Sequence, residues 1–504
     1  MRTPLWKDRA LAYPTTELTP AEHYDVVIVG AGFTGLITSI LLARAGKKTL
    51  TVEARDIGAG ASGATTAKAT LLQGNRLSEM ERAGGRELAS AYLEGHQRGL
   101  AWLLGFCDER GVPAERLSAW TYASTESGVR DVEKEHETAQ TLGLPTVLHS
   151  TVNAPFPVHG AVELPNQLQL DPVDLLSELA RALVEAGGTL VDQARVIDIE
   201  THEDRLWIET KQGVITADQT VLATATPILD HGRTTVQLHP QRSYLCSFEY
   251  DGDIPEGMLI SVESPTRSLR TASVDSTRYL LVGGNGHRTG QAASTQAQLD
   301  EIVEWTVKHF PGVRLTHSWS AQDYHPISLV PMVTTLPWGD DRVHFAGGYS
   351  KWGLTGAPAT AKQVADLVLG KTHDPPFGDP SLWGKIKGTA KTLADAPAPV
   401  VKAVADAVRT DLDDPDDNDD QIHGGASGAE SASARAGHVG KTPVGETEIN
   451  GLPCRVSLAC PHMGAILAWN DSEESWDCPL HGSRFKADGT LLEGPATTDL
   501  TRLQ

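Results

Sequence analysis

Apolar positions along the chain fall into blocks of distinct period. Tyr24 to Val29 ("YDVVIV") reads as an apolar run, the signature of a strand buried on both faces. Thr34 to Ala45 follows with helical spacing, and Lys48 to Val52 reads as the next strand. A long helical pattern extends from about Glu79 to Arg110. A further helix has a marked start: Asp171 can cap, Pro172 suits the first turn, and "VDLLSELARALVEAGG" ends on glycines. Alternation in "ARVIDIETHEDRLWIETKQGVITADQTVLATA" predicts a meander that returns to the core sheet at Val221. Residues 238–322 read as mostly β, with one helix near 296–310. "RVHFAGG" predicts a buried strand and "TGAPATAKQVADLVLG" a closing helix.

The pattern breaks after Gly370. A Pro-rich joint leads to an amphipathic stretch, roughly Leu382 to Arg409, and then to "DLDDPDDNDDQIHGGASGAESASARAG". Clustered Asp with Gly, Ser and Ala cannot bury a core, which predicts a flexible acidic linker. Residues 372–436 are therefore assigned to helix and linker, and a small domain to 437–504.

A chain of 504 residues exceeds one compact core, so several domains are expected. No apolar run reaches the length of a membrane span, and the N-terminal lead (1–23) lacks the apolar core of a secretory signal. A net charge of -22 repels phosphate polyanions and tells against nucleic acid as a partner. The five cysteines, Cys107, Cys246, Cys454, Cys460 and Cys478, are too few and odd for a disulfide framework and suit a reducing cytoplasm.

Two stretches carry chemistry. Gly30-Ala31-Gly32-Phe33-Thr34-Gly35 is G-x-G-x-x-G between a strand and a helix. The first glycine makes the turn, the second admits a pyrophosphate, and the third lets helix and strand close up. Glu53 ends the next strand, where a carboxylate can accept from ribose hydroxyls. No second such motif exists: "LLVGGNGHRTG" has the wrong spacing, so electrons are expected from an organic substrate rather than a nicotinamide. At the far end, Cys460-x-His462 and Cys478-x-x-His481 offer two thiolates and two imidazoles. Zinc and a two-iron cluster both accept such a set. The spacing differs from a zinc finger, Gly464 and Gly482 follow the two halves, and no finger helix follows.

The loop "ARDIGAGASGATTAKATLLQG", together with "LDPVDLLSELARALVEAGGTLVDQARVIDIE", "TVLATAT" and "HFAGGYSKWGLTGAPATAKQVADLVLG", resembles the D-amino-acid oxidase-like family of FAD enzymes. The resemblance implies an α/β (α+β) fold. A Rossmann-like FAD-binding domain (about 24–80, 165–237 and 323–371) interleaves with an antiparallel-sheet substrate domain (about 81–164 and 238–322). It also implies that Gly30, Gly32, Gly35, Glu53, Arg55 and Val196 hold the adenosine and diphosphate side. Thr65, Thr66, Ala67, Gly353, Leu354 and Thr355 should then line the flavin side. No Cys or His lies in the 58–70 loop, so FAD is expected to bind non-covalently. The 460–485 stretch resembles the Rieske [2Fe–2S] domain, with a small all-β fold in which cysteines bind one iron and histidines the other. Ala465 and Leu480 stand where some members carry a bridging disulfide. Phe485 stands where high-potential members carry a tyrosine; Ser483 remains as a donor. The expected potential lies in the lower or middle part of the Rieske range of about −150 to +300 mV.

Together these imply an enzyme that oxidises an amine or amino-acid-like substrate by hydride transfer and passes electrons singly through the cluster to an unknown acceptor, an electron-acceptor protein or oxygen. An oxygen-reducing oxidase and a redox sensor without turnover stay open as alternatives, as does the oligomeric state. Lys351 and Lys68 are expected near the flavin. Arg242, Tyr244, Arg270, His287, Tyr324, His325 and Tyr349 are the candidate substrate contacts.

Overall fold

The computed structural model describes residues 3–9, 13–230, 234–275, 277–372, 375–378, 434–440 and 442–503. The expected amphipathic helix at 382–409 and most of the acidic linker lie outside the described residues.

The dinucleotide half is built on β1 (His23–Val29), α1 (Phe33–Arg44), β2 (Thr49–Val52), α2 (Arg76–Arg110), α3 (Pro172–Glu185), β3 (Thr189–Val191) and β4 (Gly213–Leu222). Later in the chain come α4 (Thr295–His309), β5 (Val343–Gly347) and α5 (Gly353–Val368). β1 lies parallel between β2 and β4, β5 adds parallel to β4, and β3 adds parallel to β2. The central strands are buried on both faces, which explains their unbroken apolar runs. The predicted meander forms: 196–201, 206–210 and β4 are successive antiparallel neighbours, and β4 then enters the parallel sheet beside β1. Asp171 caps α3 as expected, accepting from the Val173 N–H at 2.8 Å. α2 starts at Arg76 and contains a break at Gly85, whose φ of 77° no other residue type adopts cheaply.

The second sheet has nine strands, in the spatial order 314–326, 238–249, 277–288, 267–274, 258–261, 114–123, 160–170 and 68–69, with 147–149 beside 160–170. It is antiparallel, as expected, with one parallel pair, Met258–Ser261 beside Ala114–Ala123. Lys68, expected in a loop, sits on the short edge strand paired with Gln169.

The N-terminal lead is more than a polar arm. Leu5 and Trp6 are buried, and the Trp6 indole donates to the Thr65 carbonyl at 3.0 Å, pinning the small-residue loop. Arg9 adds ion pairs to Asp171 and Asp174.

The C-terminal unit is all β. One sheet joins 434–439, 442–449, 452–457 and 502–503; the other joins 468–470, 475–477, 484–486 and 491–493. Its first strand, Ala434–Val439, begins inside the stretch read as linker. Cys454 lies on Leu452–Ser457, half-buried against the domain's own core.

This unit is seated on the flavin-type domain. Glu473 accepts from Arg242 at 2.6 Å and from the Ser320 N–H at 3.1 Å, and also pairs with Arg484 of its own domain. Asp471 reaches the start of α4, accepting from the Thr295 N–H (2.7 Å), the Gln296 N–H (3.0 Å) and the Ser294 hydroxyl (2.7 Å). Ser294 caps the Ala297 N–H, so three of the helix's orphan donors are satisfied and a negative charge faces its positive end.

Asp471→Ala should lower stability by about 1–2 kcal/mol through loss of that cap and charge. A urea titration followed by circular dichroism checks this; the midpoint should fall, and Asp471→Asn, which keeps one acceptor, should fall less.

Candidate functional site

A cavity of about 370 Å³ runs between the two sheets. At one end the β1–α1 turn presents Gly30 and Gly32 with the first residues of α1. Gly30 has φ 103°, and a side chain there would meet the Ala223 carbonyl oxygen at 2.7 Å. A side chain on Gly35 would sit 1.8 Å from the Gly30 carbonyl oxygen, so this glycine lets helix and turn close on each other. α1 has no side-chain cap, which leaves its N–H groups and positive dipole end for an anion. Glu53 fixes the turn's far side, accepting from the Ala31 N–H (2.9 Å) and the Arg55 N–H (3.0 Å). Arg55, Arg195 and Val196 continue the wall.

The other end is lined by Thr65, Thr66, Lys68, Tyr244, Tyr324, Tyr349, Lys351, Gly353 and Leu354. α5 begins here, again with no side-chain cap, so a second positive helix end points into the cavity. Lys68 is buried, and its ammonium donates to the Leu259 carbonyl (3.1 Å) and the Ser268 hydroxyl. Burial, reinforced by Arg270, lowers its pKa to about 7. Lys351 is exposed toward the cavity yet walled in by protein, and burial lowers its pKa too. Its Nζ occupies the space a side chain on Gly286 would take. The Tyr349 hydroxyl is committed to Thr34 (2.6 Å) and Thr360 (2.7 Å), linking α1 to α5. Burial raises its pKa to about 12.

Several expected contacts stand elsewhere. Gly35, Ala67 and Thr355 do not line the cavity: Gly35 packs on Gly30, and Thr355 bonds His96 at 2.7 Å. The Ala67 carbonyl accepts from Arg270 at 3.0 Å. Arg270 itself is buried behind the wall, bonding the Ala67, Leu170 and Thr271 carbonyls over the Trp6 ring. With those donors spent, it does not face substrate. Arg242 is likewise taken by Glu473 and Ser320. His287 bonds the Tyr244 hydroxyl at 2.8 Å, and His325 is buried, held neutral to about pH 3.

Missed by the sequence were Trp6, which braces Thr65, and residues 492–497 of the C-terminal domain, several of which line the same cavity. An isolated "LW" in a polar lead was the only signal for the first. The second had none.

The two metal loops share one geometry. In each, the cysteine carbonyl accepts from the glycine four residues on (Gly464 N–H 2.8 Å, Gly482 N–H 3.0 Å). The cysteine N–H donates five residues on, to Ala465 (2.9 Å) and Ser483 (2.7 Å). Gly464 and Gly482 have φ of 73° and 79°, the left-handed turn both loops require. The loops bring the Cys460 and Cys478 thiols into hydrogen-bonding contact and the His462 and His481 rings to 5.0 Å between centroids. Cys460 is pulled down to about 7 chiefly by its partner thiol, and that partnership pushes Cys478 up. The Ser483 hydroxyl bonds the Cys460 sulfur. His481 Nδ1 is buried without a hydrogen-bond partner, as a nitrogen kept for a metal should be. Two thiols beside two imidazoles suit a two-iron cluster in which each iron takes one pair.

A turn-and-helix dinucleotide cradle opening onto a mixed sheet, with a cysteine–histidine loop pair beside it, defines a flavin-dependent oxidoreductase with an iron–sulfur domain. Residues 25–367 match the model of the FAD dependent oxidoreductase family, and the chain belongs to that family. Residues 446–504 match the Rieske [2Fe-2S] domain. FAD and a Rieske cluster are its cofactors. The Bacillus subtilis protein YhfW, named as a Rieske 2Fe-2S iron-sulfur protein, is 29% identical over 489 residues, which are 95% of this chain and 93% of that one. Glycine oxidase from Geobacillus kaustophilus superposes with a TM-score of 0.59 at 19% identity, over 71% of this chain and 98% of its own. L-proline dehydrogenase from P. horikoshii gives 0.59 at 18%, over 72% and 99%. No helix among the described residues is long and apolar enough to cross a membrane.

Cys460→Ser should abolish the reduced-cluster EPR signal while the protein-bound flavin absorbance persists, because the two sites share no ligand. Loss of both together would show that the cluster is needed to build the flavin site.

Proposed function

We propose that this chain oxidises an amine or amino-acid-like substrate in the cavity beside Lys68 and Lys351 and releases the electrons singly through its Rieske domain. The observation that carries the reading is a lysine with its pKa near 7 facing the same cavity as the dinucleotide cradle. When bound, FAD supplies a two-electron hydride acceptor and the cluster a one-electron carrier. Non-covalent FAD is supported by a described cavity lining that contains neither Cys nor His.

The protein's part is positioning and proton handling. An ammonium substrate has to lose a proton before its carbon can give up hydride. Lys68 in its neutral form takes that proton, and the Ser268 hydroxyl holds its nitrogen in place. Lys351 lines the substrate side and offers a cation to a carboxylate, since Arg242 and Arg270 are both committed elsewhere. The uncapped start of α5 offers N–H groups to negative charge on the bound dinucleotide. Tyr349 ties α1 to α5 and fixes the width between the two helix ends. Neighbours named glycine oxidase and L-proline dehydrogenase share this fold, which supports the substrate class.

Anaerobic mixing with a panel of amines and N-methyl amino acids tests the reading: one compound should bleach the flavin while the cluster signal grows. Bleaching with an oxidised, silent cluster and peroxide in air would favour the oxidase alternative. Because Lys68 must be neutral, the flavin-reduction rate should rise as pH increases through about 7, and Lys68→Met should lower it by roughly 10²–10⁴-fold. Lys351→Met should raise KM for amino acids by about 10–100-fold, the worth of a hydrogen bond to a charged group, and leave simple amines little changed.

A further inference from the structure

Tyr324 is buried at the junction of cavity and cluster domain. It lines the cavity, and its carbonyl accepts from the Ser350 N–H at 3.2 Å, in the loop that carries Lys351. Its hydroxyl donates to the carbonyl of His481, a cluster ligand, at 3.2 Å. Gln322, one tooth along the same strand, donates to the neighbouring Gly482 carbonyl at 2.8 Å and to the Tyr324 oxygen at 3.1 Å. Thr289, in the turn that follows strand 277–288, anchors Gln322 by donating to its side-chain oxygen at 2.9 Å. The fit leaves no slack. A side chain on Gly482 would meet Pro240 at 2.7 Å, Gln322 at 2.8 Å and the Tyr324 hydroxyl at 3.0 Å. Burial keeps the Tyr324 phenol protonated, with Glu493 adding to the push, so it acts as donor.

The geometry points to Tyr324 as the positioning residue that holds the His481 side of the cluster against the flavin cavity of the same chain, making this contact the route of electron transfer. This rests on the relay reading above. Each crossing would move one electron from reduced flavin to the iron pair, and over two crossings the hydrogen received as hydride would leave the flavin as a proton to solvent. The second electron follows once a one-electron acceptor protein has emptied the cluster. The substrate's proton stays on the substrate side, with Lys68.

The test uses the full chain loaded with both cofactors, without air. Light with EDTA reduces the bound flavin, and absorbance and EPR follow the cluster. In the native chain the cluster should fill at a rate independent of protein concentration. Tyr324→Phe keeps the ring and removes only the hydroxyl. It should slow filling roughly three- to ten-fold, the effect of one lost hydrogen bond on how closely the His481 loop is held to the cavity wall while the Glu473 junction keeps the domains docked. The cluster midpoint potential should stay unchanged, and deuterium exchange across 479–484 should rise. Thr289→Val, which frees Gln322 and leaves Tyr324 intact, should act in the same direction and carries the test should the first variant fold poorly. A Tyr324→Phe rate equal to native, a potential shift large enough to explain the slowing, or a rate that scales with concentration would each overturn the proposal. A native cluster that stays oxidised beside a bleached flavin would instead overturn the relay reading itself.

Discussion

Glu473 stands between two buried guanidinium groups, Arg242 of the flavin domain and Arg484 of the cluster domain. Neither arginine can shed its charge, and neither reaches bulk water. Burying such charges is costly, and removing the anion between them would leave Arg242 without its carboxylate and Arg484 with only the partners inside its own domain, a loss of several kcal/mol. The two domains are therefore held together by a charge requirement that only one arrangement meets. Arg484 extends the same network to Asp477 and Glu493, and Glu493 lies in the wall of the dinucleotide cavity. One ionic junction thus fixes the docking angle, part of the cofactor wall and the distance from cavity to cluster.

The same placement orders the electron path. His481 is buried and its loop faces the flavin domain, whereas His462 is half-buried among exposed Pro461, Met463 and Gly464. The cluster therefore has an inner and an outer histidine. Its near environment bears on potential: the Ser483 hydroxyl bonds the Cys460 sulfur, while Phe485 is fully buried with no hydroxyl to give. One such donor instead of two keeps less of the reduced cluster's negative charge satisfied.

Local signals were readable and distant ones were not. The glycine turn, the acid closing the second strand, the α3 cap and both metal loops depend on residues within a few positions of one another, and spacing reveals them. The fates of Arg242 and Arg270 depend on partners that sequence cannot pair. Arg242 meets a carboxylate 231 positions later, and Arg270 meets a carbonyl 203 positions earlier. Both were candidate contacts because a guanidinium suits a substrate carboxylate; here each side chain instead bonds oxygens of the protein itself. Lys68 was legible as a cavity residue, but its lowered pKa comes from burial and from Arg270, which only the folded sheet brings close.

The cap on α4 has a bearing on how the chain is made. The helix belongs to the flavin domain, yet the carboxylate that closes it arrives 176 residues later. During synthesis the flavin domain emerges first, with the Thr295 and Gln296 amides of α4 lacking their carboxylate and the Arg242 charge uncovered. Until the last segment has left the ribosome and its loops have folded, this domain carries an unfinished face. A nascent chain halted before the C-terminal domain would present chaperones with that open face.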